Sequence, residues 1–333
     1  MTAVYAAAVV IVLTLVGFFA DRVPGGVIAV TVVGPYAGFV ILLIGVCYRI
    51  LLWANSPVPF RIPTTCGQQR SLPWIPAAPL ENPSNGVTAA IRVAIEALAF
   101  RSLLRDSRPH VVDGRLAYAP TRVLWIAALA MHWSLLIVVL RHLRLVVEPV
   151  PAFVPGLIAV DGMLQIGAPP LLLTDVVLSA ALGYLLIRRL YDPVLRYISL
   201  FSDYFALLLL LAVAGSGIAM RYDVRADIVT VKQFALGLAT FHPAVPASVS
   251  PLFQAHLLLV SVLAVYLPFS KLMHFGGIFL SPTRNLANNS RRKRHVNPWN
   301  PLVPTHSYRE WEREYQDKLK LAGIPLDGAD HAE

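Results

Sequence analysis

Residues 251–275 read PLFQAHLLLVSVLAVYLPFSKLMHF, an apolar run without a single acidic residue. A stretch of this length crosses the hydrocarbon of a bilayer as a helix, because a helix satisfies every backbone hydrogen bond where no water is at hand. The run carries a histidine near each end, His256 and His274. Eighteen residues of unbroken α-helix turn through about five revolutions and rise roughly 27 Å, so the spacing predicts two imidazoles on one face at opposite ends of a span. A second apolar run, RVLWIAALAMHWSLLIVVLRH, carries His132 and His142, ten residues or roughly 15 Å apart on a helix. Ionisable side chains at membrane depth are costly and are kept there for function.

The rest of the chain belongs to the same class. Mean hydropathy is +0.63 and 56% of the 333 residues are hydrophobic against 14% charged, which excludes an ordinary soluble domain. The formal charge of +9 would suit nucleic acid if it were spread over a face. Here the basic residues sit between and after the apolar runs, which is a topology pattern, and no nucleic-acid partner is expected. With only Cys47 and Cys66, the chain can neither ligate an iron–sulfur cluster by its own thiolates nor attach haem through CxxCH.

The sequence predicts an all-α integral membrane protein with six transmembrane helices, near residues 3–20, 27–53, 122–144, 171–188, 200–220 and 251–275. Pro35 marks an irregularity in the second. The division is an added N-terminal helix and turn at 1–26, a five-helix membrane domain at 27–275 and a C-terminal tail at 276–333 with a helix around 307–321. A hydrophilic loop at 54–121 opens proline-rich and continues as GVTAAIRVAIEALAFRSLLRDSR, an amphipathic helix suited to a membrane or partner surface. A further interfacial helix is expected between 221 and 250. The 54–121 loop, the connection with Arg188, Arg189 and Arg196, and the RRKR run at 291–294 concentrate positive charge on one side. The positive-inside rule then places both termini in the cytoplasm.

In that topology His142 and His256 fall toward the exterior, and His132 and His274 toward the cytoplasm. The proposed pairs are His142 with His256 and His132 with His274, each holding the iron of a b-type haem, an arrangement that leaves no open coordination position and favours electron transfer. Zinc would need three or four ligands converging on one ion, whereas haem brings four nitrogens of its own. The competing reading, hydrogen-bonding histidines inside the bundle, explains any one of them but not their ordering. Arg141 and Arg144 beside His142, and Lys271 beside His274, suit haem propionates and equally suit side chains snorkelling to the interface.

The two histidine pairs, in this order and at these spacings, resemble the di-haem cytochrome b family that contains the membrane gamma subunit of respiratory nitrate reductase. The added first helix, the loop IPTTCGQQRSLPWI and the tail MHFGGIFLSPTRNLANNSRRKRHVNPWNP are similar to the branch of that family found in the membrane complex associated with dissimilatory sulfite reductase. The resemblance implies quinone-linked transmembrane electron transfer between a menaquinone or other quinone pool and a cytoplasmic iron–sulfur protein similar to heterodisulfide reductase. It also implies a multihaem cytochrome c, an exterior iron–sulfur protein and a second polytopic quinone-interacting subunit as partners, in a bacterial cytoplasmic (inner) membrane. Gln165 and Lys232 are polar candidates near the quinone, and Cys66 belongs to a docking loop. A nitrate reductase gamma-type subunit is the alternative within the class. A transporter or a plain anchor would leave the histidine pairs without a cause.

Overall fold

The structure is a computed structural model and describes residues 1–56, 74–246, 249–281, 285–287 and 304–327. Cys66 and the basic run at 291–294 lie outside the described residues.

The chain is an all-α, multi-pass helical bundle with one small hairpin. Helix α1 is Thr2–Phe18, and α2 is Gly34–Ala54, entered from Gly26 through one π-helical stretch, Ala29–Val33. Pro35 accounts for that stretch: with no N–H to give the carbonyl four residues back, the ladder widens just before it. Helix α3, Gly86–Ala99, is the amphipathic segment, capped by Asn85, whose side chain accepts from Thr88 N at 2.9 Å. Two strands follow, β1 Ser107–Val112 and β2 Arg115–Pro120, paired antiparallel with Val112 opposite Arg115. The two-residue loop between them is Asp113-Gly114, both at positive φ, as a tight hairpin of this kind requires. The long helix α4 is Arg122–Val146, then α5 Phe153–Asp161, α6 Leu173–Tyr191, α7 Phe201–Tyr222 and α8 Ile228–Ala239. Last come α9 Pro251–Tyr266, α10 His274–Leu280, and in the tail α11 Tyr308–Glu314 and α12 Gln316–Leu321.

Among the described residues, four helices are long and apolar enough to cross a membrane: Gly26–Ala54, Arg122–Val146, Phe201–Tyr222 and Pro251–Phe269. The expected six spans therefore divide differently. Helix α1 is apolar but only 17 residues long, about 26 Å at 1.5 Å per residue. Helix α6 has the length, but Asp175, Arg188 and Arg189 charge its two ends.

Helix α9 lies at the centre, against α1, α2 and α7, while α6 bridges α7 to α4. Ala6 and Val10 of α1, Tyr204, Phe205 and Leu209 of α7 and Leu259 of α9 form one buried cluster, so the added N-terminal helix shares its core with the last span. Leu178 and Leu182 of α6 and Leu210 of α7 form a second, flanked by Met131, Leu135 and Val138 of α4. In lipid such packing depends on close approach rather than on hydrophobic exclusion, and two glycines permit it. A Cβ on Gly17 would stand 2.6 Å from Cα of Ala255, and one on Gly45 would stand 2.6 Å from Cγ of Pro268. Gly17→Ala is therefore expected to force α1 off α9 beside His256, at a cost of about 1–3 kcal/mol from overpacking. The detergent-solubilised variant should melt below the parent; equal melting temperatures would contradict the contact.

The expectation of one helix over 251–275 is corrected. Helix α9 ends at Tyr266, 3₁₀ turns run over Leu267–Phe269 and Lys271–Met273, and α10 begins at His274. Pro268 cannot continue the hydrogen-bond ladder. Ser270, extended at φ −113° and ψ 175°, then caps the next turn by accepting from Leu272 N at 3.1 Å. The roughly 27 Å separation of a continuous helix does not apply here.

The hairpin docks on the turn after α6, where Arg108 bonds Asp192 at 2.5 Å. That hydrogen bond holds the Asp192 carboxyl below its ordinary range, and the backbone N–H of Leu195 adds to the effect.

Candidate functional site

The four histidines occupy two levels of the bundle. At the first, the rings of His132 on α4 and His274 at the start of α10 stand 5.7 Å apart between centroids, at an interplanar angle of 87°. At the second, His142 on α4 and His256 on α9 lie within electrostatic range of each other without ring contact. Each level combines a half-buried imidazole, His132 or His256, with an exposed one, His274 or His142.

Every one of these rings is fixed through Nδ1. His132 Nδ1 is 2.8 Å from the Ala128 carbonyl oxygen, His142 Nδ1 is 2.7 Å from that of Val138, and His274 Nδ1 is 2.9 Å from that of Lys271. A carbonyl only accepts, so the proton sits on Nδ1 and the Nε2 lone pair is left free. His256 differs, because its Nδ1 is 2.9 Å from Ser216 Oγ on α7. That hydroxyl lies 2.8 Å from the Ala212 carbonyl and 3.0 Å from that of Val213. It donates to a carbonyl and accepts from His256, which gives the same tautomer. Two imidazoles presenting Nε2 are the donor set that one iron centre takes when a macrocycle supplies its other four ligands. Among the described residues, no group of three or more His, Cys, Asp or Glu is placed to hold a bare metal ion.

The surroundings of the first level were not legible as such in the sequence. Phe100 packs edge-on to His132 at 4.9 Å, in the left-handed region at φ 50°. A phenylalanine there is strained, and its neighbours hold it. Trp125 Nε1 donates to the Ala99 carbonyl at 2.8 Å and Trp133 Nε1 to that of Leu98 at 3.0 Å, so the end of α3 is pinned along α4. On the other side the Trp53 ring lies 3.7 Å from where a Cβ of Gly276 would be and 3.8 Å from that of Gly277.

At the second level Arg141 is not available for a propionate. It is 7% exposed and ion-paired to Asp161 at 2.7 Å and Asp175 at 2.9 Å. Asp161 also caps α6, accepting from Thr174 N at 2.8 Å and Thr174 Oγ1 at 2.7 Å, and Asp175 accepts from the Tyr222 hydroxyl at 2.9 Å. A buried guanidinium needs such partners, and they tie α4, α5, α6 and α7 into one corner. Lys271 likewise pairs with Asp203 at 2.7 Å. Arg144 is half-buried in the electrostatic range of Arg141 and Arg221. Of the quinone candidates, Gln165 is exposed in a loop with Nε2 3.3 Å from the Gly162 carbonyl, and Lys232 is ion-paired to Glu148.

The architecture is a multi-pass helical bundle in which His132 meets His274 and His142 lies near His256. The nitrate reductase gamma subunit family matches residues 118–293, which include all four histidines. The chain belongs to that family. It is 43% identical over 277 residues to the Hdr-like menaquinol oxidoreductase cytochrome b-like subunit of Archaeoglobus fulgidus, covering 81% of this chain and 83% of the relative. The protein of the same description from Archaeoglobus profundus is 43% identical over 274 residues, covering 80% and 81%. Both alignments are longer than the family match, so the likeness extends beyond residues 118–293. Both relatives are archaeal, which lends no support to the bacterial setting expected from the resemblance.

Proposed function

We propose that this chain is the quinone-linked electron-transfer subunit of a membrane oxidoreductase, holding two b-type haems, one between His142 and His256 and one between His132 and His274. The observation that carries the reading is the common state of the four imidazoles: each gives Nδ1–H to a fixed acceptor and keeps Nε2 for a ligand bond. A bis-imidazole haem supplies one-electron transfer and offers no position for substrate. The chain's own part is to set the rings at two depths, fix their tautomers and surround them with apolar helix.

Both relatives are cytochrome b-like subunits of menaquinol oxidoreductases described as Hdr-like. By that likeness the electrons pass between menaquinol and a cytoplasmic iron–sulfur subunit similar to heterodisulfide reductase. The His142 level faces the exterior and both termini the cytoplasm. A multihaem cytochrome c, an exterior iron–sulfur protein and a second polytopic subunit complete the complex, whose setting is dissimilatory sulfur metabolism linked to sulfite reductase. The family match over residues 118–293 keeps a nitrate reductase gamma-type role as the second reading. Likeness outside that match favours the first.

A reduced-minus-oxidised visible spectrum of the purified membrane protein, with haem per chain determined alongside, tests the proposal. Two protohaems per chain are expected. A chain expressed in a haem-competent host and isolated without haem would refute it, and the proteins that copurify decide between the two settings.

A further inference from the structure

Three of the four imidazoles are fixed by carbonyls of their own segment, three or four residues earlier, which no side-chain substitution can remove. His256 alone is held by a side chain, Ser216, on a different helix and 40 positions away. Ser216 is 7% exposed, and its hydroxyl proton is committed to the Ala212 or Val213 carbonyl at the preceding turn of α7. The oxygen lone pair is thus aimed at His256. Gly217 follows directly, and a Cβ there would stand 3.5 Å from Cε1 of His256, so the ring lies flush against this turn. The Val213 carbonyl is also within hydrogen-bonding reach of His256.

We propose that Ser216 is a positioning residue that sets the electron-donor strength of His256, and with it the reduction potential of one haem independently of the other. This rests on the haem reading above. An acceptor on Nδ1–H makes an imidazole a stronger donor through Nε2, which favours the oxidised metal. The polarised Ser216 hydroxyl serves as that acceptor together with the Val213 carbonyl, so without it the ring keeps its tautomer with one acceptor in place of two. The consequence is specific: loss of the hydroxyl leaves the ring in place and weakens its donation. It also makes the two levels unequal by construction, since the His132 level is held entirely by backbone.

The test is an optical redox titration of both haems in the full chain, purified in its complex, for the parent, Ser216→Ala and Ser216→Thr. In Ser216→Ala one haem should shift to higher potential, by up to about tenfold in its reduced-to-oxidised ratio at fixed ambient potential, which is about 59 mV for a one-electron couple. That haem should be the one missing from His142→Ala, and the threonine hydroxyl should restore the parental value. Ser216→Ala titrating as the parent does, both haems moving together, or Ser216→Thr shifting like the alanine variant would each overturn the proposal. If the alanine chain is not recovered with haem, Ser216→Cys is titrated in its place, and a parental potential there counts against the proposal. A parent without haem strikes at the haem reading itself, an outcome distinct from all of these.

Discussion

Replacing His132 or His274 by alanine should leave one b-type haem per chain in place of two, and the same one in both cases. The two rings meet at 5.7 Å, and two metal–imidazole bonds of about 2 Å each place ring centres across one metal ion at about 6 Å. The pair is therefore close to the separation that one iron requires. His142→Ala or His256→Ala should remove the other haem. Haem per chain and the potential of the component that survives are the measurements. Different components lost from His132→Ala and His274→Ala would refute the pairing, and full haem content in any of the four variants would remove that histidine from the ligand set.

The largest effect on stability is expected from Arg141→Met. The substitution keeps an unbranched apolar stem and leaves Asp161 and Asp175 buried without their counter-charge. Breaking a buried ion pair from one side typically costs about 3–5 kcal/mol, and Asp161 is at the same time the cap of α6. The variant should be recovered poorly and melt well below the parent. The triple replacement Arg141→Met, Asp161→Asn, Asp175→Asn should regain much of the loss, because it leaves no unpaired charge. Equal melting of parent and Arg141→Met would show that water reaches this corner.

These two corners differ in how far the sequence disclosed them. The histidines stood out because an ionisable residue in an apolar run has few reasons to be there. Their order along two runs was enough to suggest pairs. Arg141 stood out as well, but its role did not, since Asp161 and Asp175 lie in segments that look like connection and span. Only folding brings them to the guanidinium. Ser216 carried no such signal; a serine in an apolar helix usually bonds back to its own turn, and nothing local says that its free lone pair meets a ring from another span.

The helices themselves were largely legible from the apolar runs, and the amphipathic helix and the tail helix from their periodicity. The hairpin at Ser107–Pro120 was missed although Asp113-Gly114 between two β-prone stretches is a strong local signal. Reading 54–121 as one hydrophilic loop concealed it. The break after Tyr266 was missed because hydropathy is blind to Pro268, which is as apolar as the residues around it. Four of the expected spans coincide with helices long and apolar enough to cross a membrane, while Thr2–Phe18 is shorter and Leu173–Tyr191 carries Asp175, Arg188 and Arg189 at its ends.

The break has a bearing on how such a chain can change. On a rigid rod, the compass bearing of His274 would be dictated by that of His256, and any twist needed to tune one end would misdirect the other. With Pro268 between them, each ring takes its aim locally, one from Ser216 and the other from the Lys271 carbonyl. The aim of each ring can thus be altered by substitution at its own end while separate contacts hold the other.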